Sequence, residues 1–112
     1  MKYSIGVVLT MTLLTAACAS TFLVSKDGKG YYLGSESSAA YKMFCESGDL
    51  KKILAGTQLP SEMKAELFQY NCGGIRSKEK VRQLYTSMTP LQRKDLRSAF
   101  KKNGYDINYL PC

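Results

Sequence analysis

The chain contains no histidine. That removes the commonest general base and the commonest metal ligand at neutral pH. It also removes attachment of a c-type haem, which needs C-x-x-C-H. Four cysteines are present, but no two stand at C-x-x-C spacing, so the sequence holds neither a paired-cysteine redox motif nor a zinc motif. Acidic residues are scarce, nine against 16 lysines and arginines. No uninterrupted apolar run reaches the roughly 20 residues that a membrane-spanning helix needs. We therefore expect no metal, no cofactor and no catalytic residue. A cysteine nucleophile would need a histidine or a cationic setting to form thiolate. Among the carboxylates, Glu62 and Glu66 fall one helical turn apart, whereas Glu36, Glu46 and Asp49 flank predicted helix ends. Surface solvation and capping account for all of them. A small envelope hydrolase built on an acid pair is the last of the readings we carry.

What the sequence does contain begins with a leader. Lys2 precedes an apolar stretch from Ile5 to Leu14, about ten residues long and interrupted by Thr10 and Thr12. Small residues follow, Thr15-Ala16-Ala17-Cys18-Ala19-Ser20. A charged head, an apolar middle and a small-residue boundary, in that order, mark an export signal. Ala17-Cys18-Ala19 fits the small-x-small rule of ordinary signal peptidase, which would cut before Ser20.

The stretch Leu14-Thr15-Ala16-Ala17-Cys18 also resembles the lipobox of small bacterial lipoproteins, with Thr15 where that pattern prefers leucine. The resemblance implies that the Cys18 thiol receives diacylglycerol and that the chain is cut just before it. Several acyl chains would then hold the domain stably at a bilayer. Ala19 stands where an Asp would retain a lipoprotein at the inner membrane, so the resemblance implies the outer membrane. We expect a leader over residues 1–17, a lipid-anchored N-terminus and β-hairpin over 18–34, and a helical region over 35–112.

Without the leader about 95 residues remain, one domain of a size at which a covalent staple helps. Lys2 leaves with the leader, and the rest carries a charge of about +6, which favours anionic partners. Behind an export signal, an acidic envelope protein or an anionic lipid surface is a better candidate than nucleic acid. A solvated basic surface with no dedicated ligand is the plain alternative.

The fold class we expect is mainly α with a small β element. Thr21 to Ser25 reads as a strand, Asp27-Gly28 as a tight turn, and Gly30 to Gly34 as a second strand. A glycine-rich phosphate cradle at Gly28-Lys29-Gly30 would need a following helix, which the sequence does not supply. Serines 35, 37 and 38 offer N-caps for a helix over Ala39 to Glu46, with Ala40 and Phe44 on one stripe and Tyr41 and Cys45 beside it. Asp49 can cap a short helix carrying Leu50, Ile53 and Leu54. Pro60-Ser61 opens a third helix with Leu59, Met63, Leu67 and Tyr70, stopped at Asn71-Cys72-Gly73-Gly74. Ser77 caps a fourth, with Val81, Leu84, Tyr85 and Met88 on one face. Thr89-Pro90 starts a last helix whose Leu96, Ala99 and Phe100 face inward, ended by Asn103-Gly104. The alternation of Tyr105 to Tyr109 predicts a short strand laid against the hairpin.

Two patterns overlap the later helices. Leu59 to Leu67 echoes Met88 to Leu96, which suggests two helical hairpins about thirty residues apart, too few for a solenoid. Met88-Thr89-Pro90-Leu91-Gln92-Arg93 resembles the LTxxQ motif of small periplasmic stress chaperones, with Met88 in place of leucine. That family is all-helical and binds unfolded clients, so the resemblance implies an exposed apolar groove. A generic capped helix accounts for the same residues.

With Cys18 assigned to lipid, Cys45, Cys72 and Cys112 remain, in a compartment that permits disulfides. We favour Cys45–Cys72, tying the first helix to the end of the third, with Cys112 as the rival partner for either. The function expected is that of a lipid-anchored envelope protein in a binding, structural or assembly role, with the stress chaperone as the alternative.

Overall fold

A computed structural model of the protein describes residues 21–110. The leader, the lipid attachment at Cys18 and the rival cysteine Cys112 lie outside the described residues.

The chain opens with β1 (Thr21–Lys26) and β2 (Lys29–Tyr32), an antiparallel hairpin in which Lys26 pairs with Lys29 and Leu23 with Tyr32. Asp27 and Gly28 take φ of 53° and 79°. Two consecutive left-handed residues make the turn whose twist matches that of the flanking strands. Lys29 therefore starts a strand rather than a phosphate-binding turn. β2 ends at Tyr32, two residues before the predicted limit, although the Leu33 N–H still donates to the Phe22 carbonyl at 3.1 Å. The predicted third strand forms. β3 (Asp106–Leu110) pairs antiparallel with β1, Thr21 opposite Leu110 and Ser25 opposite Asp106. The strand order is β2-β1-β3, so β1 is central and β3 lies at an edge.

Five helices follow the hairpin. α1 (Ser38–Tyr41) is capped by Ser37, whose hydroxyl accepts from the Ala40 N–H, and it runs on into a π-helical turn over Lys42–Glu46. The sequence predicts a plain α-helix there. The difference has a local cause. The Ser47 N–H donates to the Lys42 carbonyl, five residues back. That slip leaves the Met43 carbonyl to accept from the Ser47 hydroxyl at 2.6 Å, with the Tyr105 hydroxyl oxygen 3.2 Å away.

α2 (Asp49–Ala55) buries Leu50, Ile53 and Leu54. Asp49 is its first helical residue and not its cap, a correction to the sequence reading. Gly48, at φ 78°, occupies the cap position, and the Asp49 N–H donates to the Ser47 hydroxyl. The Asp49 carboxylate is thereby released for long-range contacts.

α3 (Ser61–Cys72) presents Leu67 and Asn71 to the interior, while Met63 and Tyr70 are only partly covered and Phe68 is exposed. Asn71, predicted as part of a helix stop, is buried as a bridge. Its Oδ1 accepts from the Gly34 N–H at 2.6 Å and its Nδ2 donates to the Leu67 carbonyl at 2.8 Å. Gly34 sits at φ 81°, where an added Cβ would stand 2.4 Å from the Ser77 carbonyl oxygen. Only glycine fits that crossing.

α4 (Lys78–Ser87) starts from Ser77, whose hydroxyl accepts from the Lys80 N–H, and α5 (Pro90–Lys102) starts from a full capping box. Thr89 and Gln92 exchange backbone-to-side-chain bonds of 2.9 and 3.2 Å. The chaperone-like segment Met88 to Arg93 is thus a helix start. Leu96, Ala99 and Phe100 face inward.

The core lies between the inner face of the sheet and the helices. Phe22 and Val24 of β1 meet Ile107 of β3, Tyr85 of α4 and Phe100 of α5 in one cluster. Phe22 and Tyr85 rings lie 4.1 Å apart, and the Tyr105 ring stands 6.0 Å from both Phe44 and Phe100. Leu59 and Met88 are both buried ahead of their helices, and the Asp95 carboxylate of α5 accepts from the Gln58 N–H at 2.7 Å.

Cys45 and Cys72 are joined, with Cα atoms 5.7 Å apart. The disulfide fastens the π turn to the last residue of α3.

Candidate functional site

Burial of Leu96, Ala99 and Phe100 turns the opposite side of α5 outward. On that side Pro90, Arg93, Lys94, Arg97, Ser98 and Lys101 recur at intervals of three and four residues and line an open groove of about 920 Å³. Asp106, Ile107 and Asn108 of β3 form its other wall. Successive side chains of a strand point to opposite faces. Three consecutive residues on one wall therefore mean that β3 presents its edge to the groove. Ile107 is buried beneath it, and Asp106 and Asn108 are exposed.

Four cations and one carboxylate line this groove. Arg93, Arg97 and Lys101 are spaced i, i+4, i+8, so each follows the last by about 6 Å along the helix axis. Two unit charges that far apart repel by about 0.7 kcal/mol in water, and more where the surface excludes solvent. Among the described residues, Lys94, Arg97 and Lys101 make no ion pair or hydrogen bond through their side chains. Asp95 points elsewhere, to the Gln58 N–H. Arg93 is held in place. Its Nη1 donates to the Met88 carbonyl and its guanidinium lies 6.0 Å from the centre of the Tyr85 ring. A smaller hollow of about 350 Å³, lined by Tyr85, Thr86, Arg93 and Arg97, continues the groove past the same two arginines. Its chemistry is that of an anion site: several donors in a row, with a single carboxylate at one end.

A second concavity, of about 410 Å³, gathers Lys26, Lys29, Lys42, Asp49 and Tyr105 at the hairpin end of the molecule. Asp27 lines it as well, and among its charges Lys26 and Asp49 are paired. The Tyr105 hydroxyl donates to Asp49 Oδ2, and Lys26 Nζ stands 3.5 Å from the same oxygen and 4.9 Å from the Tyr105 ring centre. Burial first, and then the neighbouring carboxylate, push the phenol well above its ordinary pKa. Tyr105 is a fixed proton donor, and the cluster clamps the start of α2 to the link between α5 and β3.

The residues singled out from the sequence are distributed around the molecule. Cys45 and Cys72 form the disulfide, which makes neither available as a nucleophile. Glu62 and Glu66 lie exposed on α3, and Glu36 and Glu46 are exposed near α1. None of these acids lines the groove. Arg93, Arg97 and Lys101 were not singled out in the sequence, although their spacing is legible there. The chain matches no family model, no curated protein and no solved structure.

Proposed function

We propose that this chain is a lipid-tethered bacterial envelope protein that binds an anionic partner through the α5–β3 groove and does so without catalysis. The carrying observation is the row of Arg93, Lys94, Arg97 and Lys101 along one open groove with a single carboxylate among its lining residues. Like charges held together without partners cost stability, and a ligand of opposite charge offsets that cost. The export signal, the lipobox-like Cys18 and the small-residue boundary support delivery to the envelope. The Cys45–Cys72 bond suits an oxidising compartment. Ala19 after the cysteine supports the outer membrane as the destination.

One purification addresses both halves of the reading. Solubilised membranes bearing the tagged protein, and the same protein carrying K94E, R97E and K101E, are each captured and their partners identified by mass spectrometry. The expected result is an acidic partner that is eluted by salt and lost from the triple variant, with an intact disulfide and unchanged circular dichroism. Retention of the same partners by the variant would dismiss the groove. For the tether, C18S should abolish labelling with a palmitate analogue and block maturation. Unchanged processing would instead assign the cut to ordinary signal peptidase. Suppression of client aggregation at substoichiometric levels, unaffected by the triple variant, would favour the stress-chaperone alternative.

A further inference from the structure

We infer that the groove accepts an acidic polypeptide segment in extended conformation, which adds to β3 as a fourth strand while its carboxylates meet Arg93, Arg97 and Lys101. This rests on the reading of the groove as an anion site and narrows it to one class of partner.

The first support is the position of β3. It is an edge strand in the order β2-β1-β3, and its edge forms the groove wall opposite the cations. An edge strand offers unpaired backbone N–H and C=O groups as a template, and proteins commonly block such edges with lysine or proline. Asp106-Ile107-Asn108-Tyr109-Leu110 contains neither, with Asp106 its one charge and Pro111 the residue after it.

The second is dimensional. The three-residue link Asn103–Tyr105 turns the chain back, so that Lys101 lies at the Asp106 end of β3 and Arg93 lies two turns, about 12 Å, farther on. The β3 wall Asp106–Asn108 covers about 7 Å of this, and the whole strand Asp106–Leu110 covers about 14 Å over its four steps. In an added strand, every second side chain would project toward α5 at intervals of about 6.8 Å. The cation spacing of about 6 Å matches that interval to within the reach of a glutamate side chain. A strand with acids at alternate positions therefore meets one cation per acid while its backbone pairs with β3.

The third is charge and preparation. Arg93 is already fixed by Met88 and Tyr85, which lowers the ordering cost of using its planar fork on a carboxylate. Asp106, the one acid in the groove, stands at the Lys101 end and weakens the pull on a carboxylate there relative to Arg93 and Arg97. The protein's own residues 1–20 include no Asp or Glu. A lipid headgroup or polyphosphate would answer the cations but has no use for a strand edge.

The test uses the disulfide-bonded protein and a fluorescein-labelled peptide with glutamate and valine alternating, followed by anisotropy. Two further peptides carry N-methyl groups on the odd or on the even backbone amides, which removes donors without changing charge. The expected result is binding that falls about tenfold or more in R97E/K101E, together with a similar loss for one methylated peptide and little loss for the other. Equal binding by all three peptides would overturn strand addition and leave the anion site standing. Binding of phosphatidylglycerol-containing vesicles that depends on Arg97 and Lys101, with no peptide binding, would overturn the proposal in favour of a lipid surface. If peptide and vesicles are both indifferent to R97E/K101E, the groove reading fails and this inference with it.

Discussion

Replacing both bridged cysteines by alanine is expected to remove a large share of the protein's stability. The cross-link spans 27 residues. Loop-closure entropy for that length corresponds to about 3.5 kcal/mol at 25 °C. A domain of this size has about 5–13 kcal/mol in total, so the fraction lost lies between about a quarter and two-thirds. Both cysteines are only partly buried, and alanine leaves little cavity at either place, so the unfolded-chain term dominates. Urea unfolding followed by far-ultraviolet circular dichroism reads this directly. With a slope near 1–1.5 kcal/mol/M, the midpoint of C45A/C72A should fall by about 2–3.5 M. The slope itself should rise, because an unlinked unfolded chain exposes more surface. Reduced wild-type protein should coincide with the variant. A variant midpoint within about 0.3 M of the oxidised protein, or a clear separation between variant and reduced wild type, would refute the entropic account.

Four other substitutions probe the long-range polar contacts, the close crossing at Gly34 and one cap. Y105F deletes the donor to Asp49 and should cost about 1.5–3 kcal/mol in the same assay. Its pH dependence has a definite sign. The unfolded phenol ionises near its ordinary value of 10.0 while the folded one keeps its proton. The stabilisation is therefore whole below pH 10 and declines as pH rises above it, and Y105F should flatten that alkaline decline. N71A strands the buried Gly34 N–H and should cost about 1–3 kcal/mol, whereas G34A, which forces a Cβ against the Ser77 carbonyl, should cost more, both by thermal melting. T89A breaks the capping box of α5 and should cost about 1 kcal/mol, with the loss of amide protection in hydrogen exchange confined to the first turn of α5.

The features legible in the sequence are those whose physics is local. Asp27-Gly28 specifies its turn through backbone preference alone, and Ser37, Ser77 and Thr89 cap the helices they precede in sequence. β3 was legible because its alternation is short-range, and the Cys45–Cys72 pairing because it ties the first predicted helix to the end of the third. The features missed depend on partners far along the chain. Asp49 is a plausible cap until Tyr105, 56 residues later, supplies a donor for its carboxylate. Asn71 reads as a helix stop until Gly34, 37 residues earlier, needs an acceptor. The π turn is the exception, since the Ser47 N–H and hydroxyl bonds that mark it are local. The groove was half legible. The cation spacing on α5 is in the sequence, but a groove exists only because β3 returns alongside that helix.

The central place of β1 constrains the timing of folding. Its residues Thr21 to Ser25 are the earliest described part of the chain to be made, and one of their two neighbours, Asp106 to Leu110, is the latest. A polypeptide emerging from a ribosome or threading through a translocation pore N-terminus first has its hairpin complete while one flank of β1 is still bare. Until the final strand arrives, Phe22 and Val24 have only part of their cover, and one side of the sheet is unfinished. Chain order thus makes closure of this sheet one of the last steps open to the described residues.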